Sequence, residues 1–307
     1  MGRYVIRRLL QMIPVFIGTT LLIFLMVNVM GDPTAALCGD KACDPATQAA
    51  LREQFHLDKP LVQQYLIYLG NIFQGDFGTA FNGDSVADLM LRAYPVTIKL
   101  TFVAIVFEIV IGIGLGVITG LRRGKPIDTG VLVLTLVVIS VPTFVTGLVA
   151  QLLFGMEWGI VKPSVAYEAP LVELILPGLV LASVSLAYVT RLTRTSVADN
   201  ARSDYVRTAV AKGLPRRRII WRHLLRNSLI PVVTFIGTDI GALMGGAIVT
   251  ERIFNIRGVG YQLYQGILHQ SSPTVVGFVT VLVIVFLLAN LIVDLLYAVL
   301  DPRIRYA

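Results

Sequence analysis

Along the 307 residues, long runs of Leu, Val, Ile and Phe alternate with shorter polar connections. Six runs are long enough to cross a bilayer, which takes about 20 residues of helix. They cover roughly residues 9–30, 96–121, 128–154, 171–190, 228–250 and 275–299. Each is apolar all round rather than along one stripe, the pattern of a helix surrounded by lipid. The expected fold class is therefore all-α, a polytopic membrane protein with six transmembrane helices. Pro142 and Pro177 fall inside expected spans, where neighbouring helices satisfy the carbonyls that a proline frees. The first run follows MGRYVIRRLLQ. It is too long for a signal peptide, and VNVMGDPTAAL lacks a small-x-small cleavage site, so a retained first span is expected.

Two connections exceed the usual few residues. Residues 31–95 contain DPATQAALREQFHL, where Asp44 can cap and Pro45 can start a helix. PLVQQYLIYLGNIF follows as a second amphipathic stretch, then the glycine-rich turn region GDFGTAFNG. Residues 191–227 form the other long connection. No repeat or low-complexity linker divides the chain, so residues 1–307 are expected to form a single domain.

Composition agrees with a lipid solvent: 55% of residues are hydrophobic, 15% are charged, and mean hydropathy is +0.76. A net charge of +7 would suggest nucleic acid in a soluble protein, but here the placement of the charges matters more. Of 26 Lys and Arg, 18 fall in four places: Arg3, Arg7 and Arg8; Arg122, Arg123 and Lys125; ten between Arg191 and Arg226; and Arg303 with Arg305. An even number of spans puts both termini on one side, and the basic bias makes that side cytoplasmic. Residues 31–95 then face outward, with eight acidic and four basic residues. Cys38 and Cys43 lie there, in an oxidising compartment where a small disulfide can form. Their spacing, without a second Cys or a His cluster, predicts no metal site.

The stretch DYVRTAVAKGLPRRRIIWRHLLRN, residues 204–227, holds much of the positive charge. Val206, Ala209, Val210 and Gly213 recur at helical spacing, with Gly213 suited to a left-handed stop and Pro215 to the next first turn. Beyond it Trp221, Leu224, Leu225 and Ser228 share one face, and Arg218, Arg222 and Arg226 form a stripe on another. Two short helices joined at a glycine predict a compact knob. Its charge suits anionic lipid, at about 1 kcal/mol per basic residue, and also suits a topology signal or a docking element.

Glu108 and Asp239 fall near the middle of their spans, where a charge must find a partner or water. They either line a translocation path or make an interhelical hydrogen bond that fixes packing. Gly237, Gly241, Gly245 and Gly246 let another helix approach the fifth span closely. Intramembrane acids also allow an ion-coupled secondary transporter as the alternative function. No catalytic residues are expected: His56, His223 and His269 are the only histidines, and none forms H-E-x-x-H. There is no phosphate-binding loop either, since the only Gly-Lys, Gly124-Lys125, runs into Pro126.

DYVRTAVAKGLPRRRIIWRHLLRNSLIPVV resembles the cytoplasmic motif of ABC importer permeases, in the form typical of dipeptide and oligopeptide permeases. Arg207-Thr208-Ala209 occupies the motif's Glu-Ala-Ala positions and Gly213 its glycine; Arg226 stands where the general motif has a proline, and Pro231 is present. MGDPTAAL, LDKPLVQQYLIYL, GDFG, YPVTIKLT, TERIFNIRGVG and DLLYAVLDPRIRY extend the resemblance nearly end to end, pointing to the first of two permease subunits. It implies a type I ABC permease fold in the bacterial inner membrane, moving peptides by alternating access. ATPase coupling falls on Asp204, Tyr205, Arg207, Thr208, Ala209, Lys212, Gly213, Leu214 and Arg217. The implied partners are a second homologous permease, two cytoplasmic ABC ATPase subunits that bind ATP and Mg, an extracytoplasmic substrate-binding protein and a peptide substrate. No cofactor belongs to this chain and no nucleic acid is involved. Dipeptides, longer peptides, nickel chelates and haem remain open as cargo.

Overall fold

The computed structural model describes residues 2–29, 44, 46, 58–80 and 82–300. The expected helix beginning at Asp44 and Pro45, and both cysteines, lie outside the described residues. Among the described residues the chain is helical, apart from turns and one isolated antiparallel bridge, Thr79 to Ser85.

Helix α1 runs Gly2–Val29 and α2 Leu61–Phe73. Gly75, Gly78 and Gly83, in the turn region that follows, adopt positive φ of 78°, 80° and 84°. A long helix α3, Val86–Leu121, contains a π-helical stretch over Glu108–Ile113. Helix α4 covers Pro126–Ser140, and α5, Thr143–Glu157, ends in a π turn. Helix α6 is Ile175–Asn200, α7 Asp204–Ala211, α8 Arg216–Ser228 and α9 Ile230–Ile253. Helices α10, Val259–Leu268, and α11, Ser272–Leu300, close the described chain.

Prolines set two of these boundaries differently from the hydropathy pattern. Pro142 does not sit within a continuous helix. Val141 before it is extended (φ −94°, ψ 125°), as crowding by the proline ring requires, and α4 and α5 meet at 100°. Pro177 is the third residue of α6, where backbone N–H groups have no intrahelical acceptor anyway, so it frees no carbonyl. Helix α3 starts ten residues before the apolar run and carries Pro95 inside it. Four helices are long and apolar enough to cross a membrane: Val5–Met26 of α1, Val86–Leu121, Ile175–Asn200 and Ser272–Val293 of α11. The bent pairs α4/α5 and α8/α9, the latter at 50°, raise the number to as many as six.

Two compact units can be distinguished in the chain. One comprises Gly2–Thr97 and Arg257–Leu287; the other comprises Ile98–Ile256 with the described part of Leu288–Ala307. In the first, tyrosines pin α2. Tyr65 donates to the carbonyl of Ile17 at 3.1 Å and lies 2.8 Å from Thr20 Oγ1, while the Tyr68 hydroxyl is 2.5 Å from Thr280 Oγ1. The first N–H of α10, at Val259, donates to Thr97 Oγ1 at 2.8 Å, which satisfies a buried helix-start donor.

The second unit is organised around α6, which carries the basic stretch at its end. Gly112, Gly116 and Gly120 form one face of α3 against it. A Cβ at Gly112 would meet Val189 Cγ1 at 2.9 Å; one at Gly120 would meet the Arg194 carbonyl at 2.8 Å; one at Gly116 would overlap Thr193 and the Thr190 carbonyl. Such spacing lets two backbones approach in lipid, where packing rather than water drives association. Gln151 Nε2 of α5 donates to the carbonyls of Ile253, the last residue of α9 (2.8 Å), and Pro163 (2.6 Å), and Val165 N to that of Phe254 (3.0 Å).

Candidate functional site

The basic stretch folds into a knob at the end of α6. Helix α7 begins after Ser203, which is extended and donates to the Asn200 carbonyl at 2.6 Å; Tyr205 donates to Asn200 Oδ1 at 2.8 Å. The helix ends in a Schellman closure. Gly213, with φ +70°, donates to the Val210 carbonyl at 2.9 Å, and Leu214 donates back to Ala209 at 3.3 Å. Glycine fits there because the left-handed conformation crowds a Cβ. Pro215 is extended, and α8 turns back from it.

Val206 and Ala209 of α7 are buried with Ile219, Leu224 and Leu225 of α8 and Val197 of α6, and Leu214 packs against the cluster. The knob is thus closed on its own small core and fixed to the last turns of α6. Ser196 Oγ adds a bond to the Ser228 carbonyl at 2.8 Å.

The structure separates residues that helical spacing grouped. Ala209 points into the knob and supports its fold, whereas Val210 is 60% exposed, and Gly213 is also exposed. Trp221 is 69% exposed, while Leu224, Leu225 and Ser228 are buried. Residues Ile219–Leu224 are π-helical, and that wider turn rotates Trp221 away from the face that ideal α spacing predicts. Arg207, Thr208, Lys212, Arg216, Arg217, Arg218, Arg222 and Arg226 are exposed. Asp204 is nearly fully exposed and lies 3.7 Å from Arg207. The outer surface of the knob is therefore basic, with Val210 and Trp221 as its apolar points.

An ion pair secures the base of this region. Asp128, in the first turn of α4, accepts from Arg194 Nε at 2.5 Å and Nη2 at 2.7 Å, and from the Gly124 N–H at 2.8 Å. Its side chain is 2% exposed and that of Arg194 17%. Arg123 lies 3.4 Å from Asp199 at the exposed edge of the same contact. Sequence reading assigned Arg123 and Arg194 to the topology bias alone; Asp128 at the first turn of a Pro-started helix was the available signal.

Glu108 and Asp239, the two candidate path residues, come close together in the second unit. Glu108, at the start of the π stretch, is fully buried, and neither of its carboxyl oxygens has a hydrogen-bond partner. Asp239 is half-buried and its Oδ2 likewise lacks one. The two carboxyls lie within reach of each other, and Ser185 stands beside Asp239. Asp239 borders a cavity of about 310 Å³, lined also by Thr143, Phe144, Leu181, Ser185 and Leu243. An uncompensated Asp at mid-span costs about 3 kcal/mol. Of the fifth-span glycines, Gly237 packs closely, a Cβ there meeting Val293 at 2.6 Å, whereas a Cβ at Gly245 would meet no neighbouring element within 4 Å.

Comparison with known proteins gives the family. Residues 112–306 match the family described as binding-protein-dependent transport system inner membrane component, and residues 1–101 match its N-terminal domain. The di/tripeptide transport system permease protein DppB of Pseudomonas aeruginosa is 35% identical over 331 residues, covering 99% of this chain and 98% of that protein. The oligopeptide transport system permease protein AppB of Bacillus subtilis is 35% identical over 322 residues, covering 100% of both. The glutathione transport system permease protein GsiC of Escherichia coli O1:K1 is 36% identical over 308 residues, again covering 100% of both. A chain of the inward-facing MetNI methionine ABC transporter shares the fold, with TM-score 0.57 and 20% identity over 69% of this chain and 96% of that one.

The chain belongs to the binding-protein-dependent transport family: it is the permease component of an ABC importer in the inner membrane. It is not an enzyme. ATP is bound by separate ATPase subunits, and a binding protein serves the same system. That excludes the ion-coupled alternative.

Proposed function

We propose that this permease imports peptides into the cytoplasm, driven by two ATPase subunits whose closure is transmitted through the knob at residues 204–228. A second, homologous permease completes the pathway, and an extracytoplasmic binding protein delivers the peptide. Six spans cross the membrane, formed by α1, α3, α6, α11 and the two bent pairs, with both termini in the cytoplasm where the basic residues concentrate. Permeases named for di/tripeptide, oligopeptide and glutathione transport match over essentially the whole chain, which supports a short peptide as cargo.

One observation carries the coupling role: the knob is closed internally by Val206, Ala209, Leu224 and Leu225, yet leaves Val210 and Trp221 in water among arginines. A lipid-binding or topology segment needs the charge but not a pre-folded element with protruding apolar points. A rigid element is what a subunit without its own fuel site needs to receive force. Arg207, Thr208, Lys212, Gly213, Arg217, Tyr205 and Asp204 form the contact surface on this reading, with Ala209 and Leu214 supporting it from inside. Val210→Asp and Trp221→Glu, both on the exposed surface, are expected to leave membrane insertion intact while reducing ATPase co-purification and ATP-driven peptide uptake at least tenfold. Normal co-purification and uptake in the double variant sinks the docking role.

A further inference from the structure

Family membership leaves Glu108 and Asp239 without a task. Each lies well inside its helix, and among the described residues no Lys or Arg pairs with either. Both oxygens of Glu108 and Oδ2 of Asp239 lack hydrogen-bond partners. Asp239 nevertheless borders a cavity, of about 310 Å³, within the range of about 300–1,000 Å³ typical of small-ligand sites. The side chains that bring oxygen to this wall are Asp239, Ser185 and Thr143; Phe144, Leu181 and Leu243 are among the apolar ones.

This wall is chemically selective. A hard metal cation takes about six or more oxygen ligands, far beyond what these side chains supply. A primary ammonium has three N–H donors, which matches one carboxylate and two hydroxyls. Its attached carbon suits the apolar remainder, and the ring of Phe144 adds a face that attracts cations. Glu108 adds a second carboxyl next to Asp239, outside the cavity wall.

We infer that the cavity beside Asp239 is a binding site for a primary ammonium group, with Asp239 as counter-ion, Ser185 and Thr143 as the remaining acceptors, and Glu108 as the second carboxyl behind them. Resting on the peptide-import reading, its natural occupant is the free amino terminus of the cargo. A peptide released by its binding protein would then be held by its charged end during passage.

The test uses the assembled permease–ATPase complex in lipid nanodiscs without the binding protein, whose own selectivity then plays no part. Dicyclohexylcarbodiimide labels membrane-buried carboxyls, and peptide mass spectrometry reads its adducts at Asp239 and Glu108. Methylammonium and Ala-Ala, at millimolar concentration, are expected to slow labelling of Asp239 at least fivefold, with N-acetyl-Ala-Ala ineffective. In Asp239→Asn, amine protection of Glu108 is expected to vanish. Protection by methylammonium but not by Ala-Ala would keep the ammonium site and reject peptide as its occupant. Equal protection by Ala-Ala and its acetylated form would keep peptide binding and reject ammonium recognition. Asp239 labelling that ignores both amines, or an Asp239 that never reacts in the assembled complex because a partner chain seals it, overturns the site.

Discussion

Replacing Asp128 by alanine isolates the contact that anchors the knob. The substitution removes the carboxylate bonded to the Arg194 guanidinium and the acceptor of the Gly124 N–H, at the point where α4 begins beside α6. Breaking a buried ion pair from one side costs about 3–5 kcal/mol, because the remaining charge stays buried without compensation. Arg194 keeps 17% of its side chain exposed and recovers some hydration, which places the expected loss near the lower end, about 3 kcal/mol. Arg194→Met alone strands Asp128, which is 2% exposed, and should cost at least as much. The double variant leaves no buried charge at either position, so its loss should be well below the sum of the two. The expected coupling is about 2–3 kcal/mol. Unfolding of the permease by SDS titration in mixed micelles measures all three variants against wild type. Additivity to within about 0.5 kcal/mol would mean that the pair does not act as a unit, and the anchoring argument would fall. The same variants should also lose ATP-driven uptake, because α6 passes directly from Arg194 into the turn that starts α7.

Three further outcomes follow from close contacts elsewhere. Gly116→Ala forces a methyl into Thr193 and the Thr190 carbonyl, so it should cost about 1–3 kcal/mol in the same unfolding assay, while Gly114→Ala, with open space around it, should cost little. Gly213→Ala must hold φ near +70° with a Cβ present; a loss of about 1 kcal/mol or more in knob stability should appear as faster amide hydrogen exchange over residues 204–214, with the spans unchanged. Gln151→Leu leaves the carbonyls of Ile253 and Pro163 without their shared donor and should destabilise the turn that follows α5 by about 1–3 kcal/mol, read as increased proteolysis between residues 158 and 174.

Hydropathy revealed helices wherever the apolar run was long, because lipid forces backbone polar groups to pair within the segment. It does not register where a helix starts or bends. Those boundaries depend on local sterics at Val141–Pro142 and on polar partners brought from a distance, such as Thr97 for the first turn of α10. The Gly112, Gly116 and Gly120 row was visible as a four-residue repeat in EIVIGIGLGVITG. Its partner, α6, was not, since a small-residue face reports that something approaches without saying what. The two-unit division has a similar cause. Both α3 and α11 run from one unit into the other without a break in hydropathy, so no linker marks the boundary.

Within the knob, legibility depended on what each residue requires. Gly213 announced its own backbone, because few other residues adopt its φ, and the Schellman closure lies where the glycine predicts. The direction of the side chains needed one fact that spacing does not hold, the π-helical stretch from Ile219 to Leu224. Read as ideal α-helix, Trp221 belongs with Leu224 and Leu225 inside; one wider turn puts it in water and leaves the inner core to smaller aliphatic residues. The acidic pair shows the complementary case. A mid-span carboxylate is conspicuous in sequence because its burial is unfavourable, but only the folded chain brings Glu108 to Asp239 and sets Asp239 against a cavity with two hydroxyl-bearing side chains. Both features combine at α6. It carries the rigid knob at its C-terminal end and contributes Leu181 and Ser185 to the cavity wall nearer its start. A displacement of the knob therefore reaches the cavity along one continuous helix, and under the proposed function that shared element is the route from ATPase closure to the proposed ammonium site.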